Sequence, residues 1–184
     1  KVGARSATSI DALTNGSVDA AIVSTPPNTH RDVATALLEA DIHVLCEKPF
    51  AIGRSNAYAM AETAKRCGRV LTMATKFRFV NDLTIARDAI AAGKIGALYR
   101  VDNVFASPVD MTGRWNLEPK SSGGGVIIDN GTHSVDIMRY LLGPIESVRA
   151  VESSKVRVYR GVEDTARIEC LSVGGVFGRI ELSW

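Results

Sequence analysis

No run of like charge, no long apolar stretch and no paired-cysteine spacing occurs in this chain, and each absence removes a class of function. Lysine and arginine are scattered, and the formal net charge is only +2. A nucleic-acid or anionic-membrane surface needs a basic patch, so neither partner is expected. The apolar stretches, 20–23 and 126–128 among them, are far short of the roughly 20 residues that span a bilayer. Three cysteines, Cys46, Cys67 and Cys170, have no CxxC spacing, and with three histidines they make no zinc pattern. No metal is expected, and reduced cysteines in the cytoplasm are the simplest reading. GxSxG and GxxxxGK[ST] are both missing, which argues against a nucleophile-elbow hydrolase and a P-loop. There is no internal repeat or low-complexity tract, and no charged-then-apolar leader opens the stretch.

What remains is the composition of a globular chain, 46% hydrophobic and 23% charged over 184 residues. The first residue is Lys1 rather than Met, and the chain stops at Trp184 inside an alternating run over 178–184. It is therefore expected to be an internal fragment, with parts of two domains.

The first part alternates buried-strand and helix patterns. Strands are expected over 19–24, 43–46 and 70–74, with helices over 29–40 and 55–67, the second stopped by Gly68. Strand, helix, strand, helix, strand signals a parallel sheet covered by helices. The character changes after about Lys76. A helix over 81–92, closed by Gly93, precedes a strand over 99–107 and an irregular polar stretch over 108–122. A helix from about 124 to 142 follows, ended by Gly143-Pro144. Strands are then expected over 147–153, 155–160, 165–173 and 176–184, the last two joined by Gly174-Gly175 as a two-residue hairpin. The expected fold class is α/β: the C-terminal half of a Rossmann parallel sheet over 1–76, then an α+β domain over 77–184 with a large, mostly antiparallel sheet.

Three constellations could carry chemistry. Ser24-Thr25-Pro26-Pro27-Asn28-Thr29-His30 leaves the first strand at its carboxyl end, where α/β sheets bind phosphate or ribose. The plainer alternative is a turn with Asn28 or Thr29 as helix N-cap. Glu47-Lys48-Pro49 leaves the second strand at the same kind of edge. A lysine there supplies a fixed charge against a developing alkoxide, or it simply ends the strand as a solvated ion pair. In the third, Asp129, His133, Asp136 and Tyr140 fall on one helix face. A carboxylate one turn from an imidazole can hold its tautomer and stabilise the imidazolium. The alternative is a structural Asp–His pair on a buried helix. Ile127, Ile128, Val135, Met138 and Leu141 supply apolar surface on the other sides. Gly123-Gly124-Gly125 reads as a start that lets this helix approach another backbone closely.

Taken in order, TPPNTH, CEKP and GGG…DNGTH–SVD resemble the glucose–fructose oxidoreductase/inositol dehydrogenase (Gfo/Idh/MocA) family. The resemblance covers nearly the whole chain and includes Lys76-Phe77-Arg78-Phe79, Gly93-Lys94-Ile95-Gly96 and Arg114-Trp115. It implies an N-terminal Rossmann domain for NAD or NADP, a C-terminal α/β domain, and a sugar or polyol substrate between them. Lys48, Asp129 and His133 match the family's catalytic lysine, aspartate and histidine. Ser24, Thr25, Pro26, Asn28, His30, Glu47 and Lys48 match cofactor positions. Lys48, Arg78, Trp115, Asp129 and His133 match substrate positions. The Lys48-Pro49 peptide is often cis in this family. G-x-G-x-x-G does not occur in the chain, and the usual tryptophan–arginine pair reads Trp115-Asn116. The implied activity is hydride transfer between a nicotinamide and a secondary alcohol or ketone of a sugar, polyol or sugar derivative. The alternatives are an NAD-dependent glycosidase of the same family and a non-catalytic sugar-binding or assembly module. A homodimer or homotetramer through the C-terminal sheet is the implied assembly.

Overall fold

The computed structural model describes residues 6–13, 16, 18–154, 159 and 161–184, with only the backbone of 151–154. The chain divides into two compact units, Lys1–Ala74 and Thr75–Trp184.

In the first unit a 3-10 turn, Ile10–Leu13, precedes β1 (Ala20–Val23), α1 (Pro27–Glu39), β2 (His43–Cys46), α2 (Arg54–Cys67) and β3 (Leu71–Met73). The three strands are parallel in the order β1-β2-β3. Val23, Val44, Cys46, Ala34, Leu37, Leu38, Ile42, Met60 and Ala64 form the buried core between sheet and helices. Gly68 ends α2 in the left-handed conformation, φ 64°, where a side chain would be strained. Among the described residues β1 pairs with β2 alone, and its Ile22 is 71% exposed.

In the second unit a 3-10 turn, Lys76–Phe79, leads into α3 (Asn81–Ala91) and β4 (Arg100–Ala106). A 3-10 turn at Trp115–Leu117 and a single helical turn, α4 (Pro119–Ser122), precede the long helix α5 (Val126–Leu142). The strands β5 (Ile145–Ser154), β6 (Thr165–Ser172) and β7 (Phe177–Ser183) close the chain. The sheet order is β4-β7-β6-β5. The pairs β5–β6 and β6–β7 are antiparallel, and β4 joins β7 in parallel, so the sheet is mixed. Alternation decides its faces: Ala166, Ile168, Ile180 and Leu182 are buried in the core that also holds Met138 and Val126 of α5. Arg167, Glu169, Arg179 and Glu181 occupy the alternate positions.

Three expectations need correction. The Gly174-Gly175 turn is not a two-residue hairpin. Ser172 N–H bonds to Val176 O and Gly175 N–H to Ser172 O, with Gly175 at φ 78°, so the loop spans three residues, 173–175. A turn followed by one left-handed residue suits strand twist, and only Gly175 needs the glycine. The long helix starts at Val126, not 124, because Gly124 and Gly125 hold non-helical angles at its start. Val135 is 45% exposed rather than packed, since α5 covers the sheet with one face only. The strand expected over 155–160 lies outside the described residues. No helix among the described residues is long and apolar enough to cross a membrane.

Candidate functional site

Parallel pairing puts the first two constellations side by side within the first unit. Val23 is in register with Cys46, and Glu47 N–H bonds to Val23 O at 2.8 Å, so Ser24 and Glu47 open adjacent loops. Ser24, Thr25, Pro26 and Asn28 are exposed on this edge. The N-cap of α1 is Pro26, with no side-chain cap, and neither Asn28 nor Thr29 takes that role. Pro27 starts the helix because its fixed φ suits the first helical position. Thr29 instead bonds through Oγ1 to Pro26 O at 2.8 Å and to Thr25 Oγ1 at 2.6 Å, which shapes the turn.

His30 has a different place from the expected one. It is 0% exposed, so it has no surface for a cofactor. Its Nε2 lies 2.7 Å from Thr25 O and its Nδ1 3.0 Å from Pro49 O. The ring therefore ties the 24–28 loop to the loop that carries Lys48. The Lys48-Pro49 peptide is cis. Lys48 N–H donates to Glu47 Oε2 at 3.0 Å, and both side chains are half-buried. Beneath them Cys46 is fully buried, and burial, with the Glu47 carboxylate nearby, pushes its thiol up to about 12.

The third constellation lies in the second unit. The glycine run does allow a close approach: a Cβ on Gly125 would stand 1.9 Å from Glu163 O. Glu163 then caps α5 from a distant part of the chain. Its carboxylate accepts Gly125 N–H at 3.1 Å and Ile127 N–H at 2.9 Å, and its carbonyl accepts Val126 N–H at 2.9 Å. These are the orphan donors of a helix start, and an anion there also suits the helix dipole.

One turn further, Asp129 and His133 are half-buried on the face that also carries Asp136 and Tyr140. The Phe77 ring meets the His133 ring edge-on at 5.0 Å between centroids. Arg78, expected to meet substrate, has a partner inside the protein: its Nε and Nη2 grip the Asp136 carboxylate at 2.6–3.0 Å. That hydrogen bonding holds the Arg78 guanidinium above its ordinary value. Arg87 Nη1 donates to Tyr140 Oη at 3.1 Å. Trp115 is 46% exposed at the start of its 3-10 turn, with Asn116 beside it.

Phe77, Glu163 and the bracing role of His30 were not legible beforehand. Phe77 sits in a quoted motif, but nothing in KFRF says which ring it will meet. Glu163 is separated from Gly125 by 38 positions, and no local pattern marks a cap supplied from that distance.

Residues 83–184 match the GFO/IDH/MocA C-terminal domain. Residues 1–75 match the oxidoreductase family with an NAD-binding Rossmann fold. The chain is 38% identical over 165 residues to 1,5-anhydro-D-fructose reductase from Ensifer adhaerens, covering 87% of this chain and 49% of that one. It is 32% identical over 180 residues to rhizopine catabolism protein MocA from Rhizobium meliloti, covering 94% and 54%. Among solved structures, GenD2 from gentamicin A biosynthesis in complex with NAD aligns with a TM-score of 0.88 at 28% identity, covering 99% of this chain and 53% of that one. The chain thus spans about half the length of the curated relatives it matches. With a parallel Rossmann sheet, a mixed second sheet and both domain matches in the same order, this chain belongs to the GFO/IDH/MocA family of oxidoreductases.

Proposed function

We propose that the protein carrying this chain is an NAD(P)-dependent dehydrogenase or reductase that interconverts a secondary alcohol and a ketone on a sugar, polyol or sugar derivative. The observation that carries the reading is the acid–base pair Asp129 and His133, one turn apart on the half-buried face of α5. It occurs in a chain whose other domain matches an NAD-binding Rossmann fold. The chemistry named for 1,5-anhydro-D-fructose reductase supports a sugar-derivative substrate.

The residues at the carboxyl edge of β1 and β2 fit a nicotinamide dinucleotide. Ser24, Thr25, Pro26 and Asn28 are exposed polar or compact residues above the N-terminus of α1, which no side chain caps. Glu47 and Lys48 stand on the adjoining loop, braced by His30. NAD or NADP, when bound, accepts or donates the hydride. His133 takes the hydroxyl proton of the substrate as the carbonyl forms and returns it in the reverse direction. Asp129 holds the His133 ring in one tautomer and stabilises its charged form. Lys48 steadies the negative charge that develops on the substrate oxygen. Trp115 contributes surface to the sugar. Assembly as a homodimer or homotetramer through the open face of the β4-β7-β6-β5 sheet, and a cytoplasmic setting, complete the reading.

The test uses the full-length protein with NAD+ or NADP+ and a panel of polyols and sugar derivatives. Reduced nicotinamide should form with at least one of them. His133→Asn should lower kcat by about 10²–10⁴-fold while cofactor affinity stays near wild type. Lys48→Ala combined with His133→Asn should cost less than the product of the two single effects, because groups acting in one step are not additive. His133→Asn activity within about threefold of wild type, below the smallest loss expected of a general base, would sink the assignment.

A further inference from the structure

The geometry points to Arg78 and Asp136 as positioning residues for His133, acting through Phe77 and through the charge balance of the α5 face. The inference rests on the reading of His133 as the proton acceptor. Arg78 Nε donates to both Asp136 oxygens at 3.0 Å, and Nη2 donates to Oδ1 at 2.6 Å. The Asp136 side chain is only 12% exposed and that of Arg78 is 42% exposed, so the pair is anchored on its acidic side. A guanidinium fork fixes direction as well as distance, which a single ammonium contact does not.

Arg78 belongs to the four-residue 3-10 turn Lys76–Phe79, so clamping it onto α5 also places its neighbour Phe77. The Phe77 ring meets His133 at 5.0 Å with the planes 79° apart, and it is backed by Phe105 at 5.3 Å. Edge-to-face packing of this kind favours one ring orientation. Further along the helix Tyr140 lies under both guanidiniums, with Arg78 Cζ 5.4 Å and Arg87 Cζ 4.6 Å from its ring centre. The helix is held along the whole face from His133 to Tyr140.

The second effect is electrostatic. Asp136 follows His133 by three positions, so the two are neighbours on the helix surface. A carboxylate left unpaired there would favour the imidazolium and compete with Asp129 for the ring. Arg78 offsets that charge. Among the described residues, the charged and titratable groups on this face and on the segments packed against it include Asp129, Asp136 and Tyr140 of α5, Lys76 and Arg78 of the 3-10 turn, and Arg87 of α3, with the Glu163 carboxylate at the first turn of α5. β4, β6 and β7 contribute Phe105, Ile168, Ile180 and Leu182 to the apolar core that also holds Val126 and Met138 of α5.

The test is an NMR titration of the His133 ring in the full-length protein, its signal assigned by loss in His133→Asn, alongside the pH profile of kcat/KM. Arg78→Gln should raise the His133 midpoint by on the order of half a pH unit, and Asp136→Asn should lower it by a similar amount. The Arg78→Gln/Asp136→Asn double variant should return the midpoint to the wild-type position. It should also move the His133 resonance toward its place in Phe77→Leu, because the fork that seats Phe77 is gone. Shifts of equal sign, or none, in variants that melt like wild type overturn the proposal. Should a single variant not fold, the double variant decides, since an unmoved His133 resonance in it overturns the proposal too. The titration needs no turnover. A wild-type protein without dehydrogenase activity would therefore sink the functional reading and leave this one separately testable.

Discussion

His30 and Cys46 show how far burial alone can reassign a residue. TPPNTH has the composition of a ligand loop, and His30 closes it, yet the ring is wholly inside and faces the carbonyls of Thr25 and Pro49. A buried imidazole needs polar partners, and the crossing of two loops supplies them here. Cys46 carries a prediction of its own. Its thiol is raised from 9.0 to about 12, chiefly by burial. The thiolate is the reactive form, so at pH 8 a thiol reagent should label Cys46 at least roughly 100-fold more slowly than half-buried Cys67 in the folded protein. Mass spectrometry of the labelled peptides reads this directly, and equal rates would contradict the burial. The same shift sets an alkaline limit. The folded state keeps the Cys46 proton to a higher pH than the unfolded chain does, so its contribution to stability is complete below about 9. That contribution is lost as pH climbs from 9.0 toward about 12. Cys46→Ala should flatten the fall in stability over that window.

At the scale of elements, the start of α5 depends on two features of unequal visibility. The glycine run was readable as a close-approach signal, because few reasons other than space or positive φ place three glycines before an apolar helix. The partner was not readable. Glu163 reaches the helix only because the chain ahead of β6 crosses its first turn, and its carboxylate replaces the side-chain cap that α5 lacks. Gly125→Ala would force a Cβ to within 1.9 Å of Glu163 O, which backbone cannot relieve by rotamer change. We expect it to cost about 3 kcal/mol or more in chemical unfolding. Glu163→Ala removes the cap without the clash and should cost about 1–2 kcal/mol. A Gly125→Ala protein within about 0.5 kcal/mol of wild type, the range of a surface change, would mean the two backbones are not pressed together.

For the whole molecule, the exposed edge of the first sheet is the feature with consequences. β1 pairs with β2 alone among the described residues, and its Ile22 is 71% exposed. An apolar, β-branched edge with unpaired N–H and C=O groups is a template for further strands. The 184-residue chain expressed alone should therefore self-associate, and without a G-x-G-x-x-G segment it should bind NAD(P) weakly. Ile22→Lys should shift it toward monomer in sedimentation, since charge on an edge strand opposes pairing. A chain that is monomeric without the substitution, or that binds NAD(P) tightly in calorimetry, would rule this out.

The order of strands and helices in the first unit came from the residues themselves, because period and punctuation are local properties. Val-rich strand runs, the helical spacing of Val33, Ala34, Leu37 and Leu38, and the stop at Gly68 need no knowledge of distant chain. The face shared by Asp129, His133, Asp136 and Tyr140 was legible for the same reason, since a helix fixes its own geometry. Partners across the chain were not. Whether Arg78 met a substrate or Asp136, whether His30 met a cofactor or two carbonyls, and what filled the space beside Gly125 all depended on which segments came together in space. Packing decides that by burying apolar surface, and polar groups caught inside must then take whichever donors and acceptors the fold brings within reach.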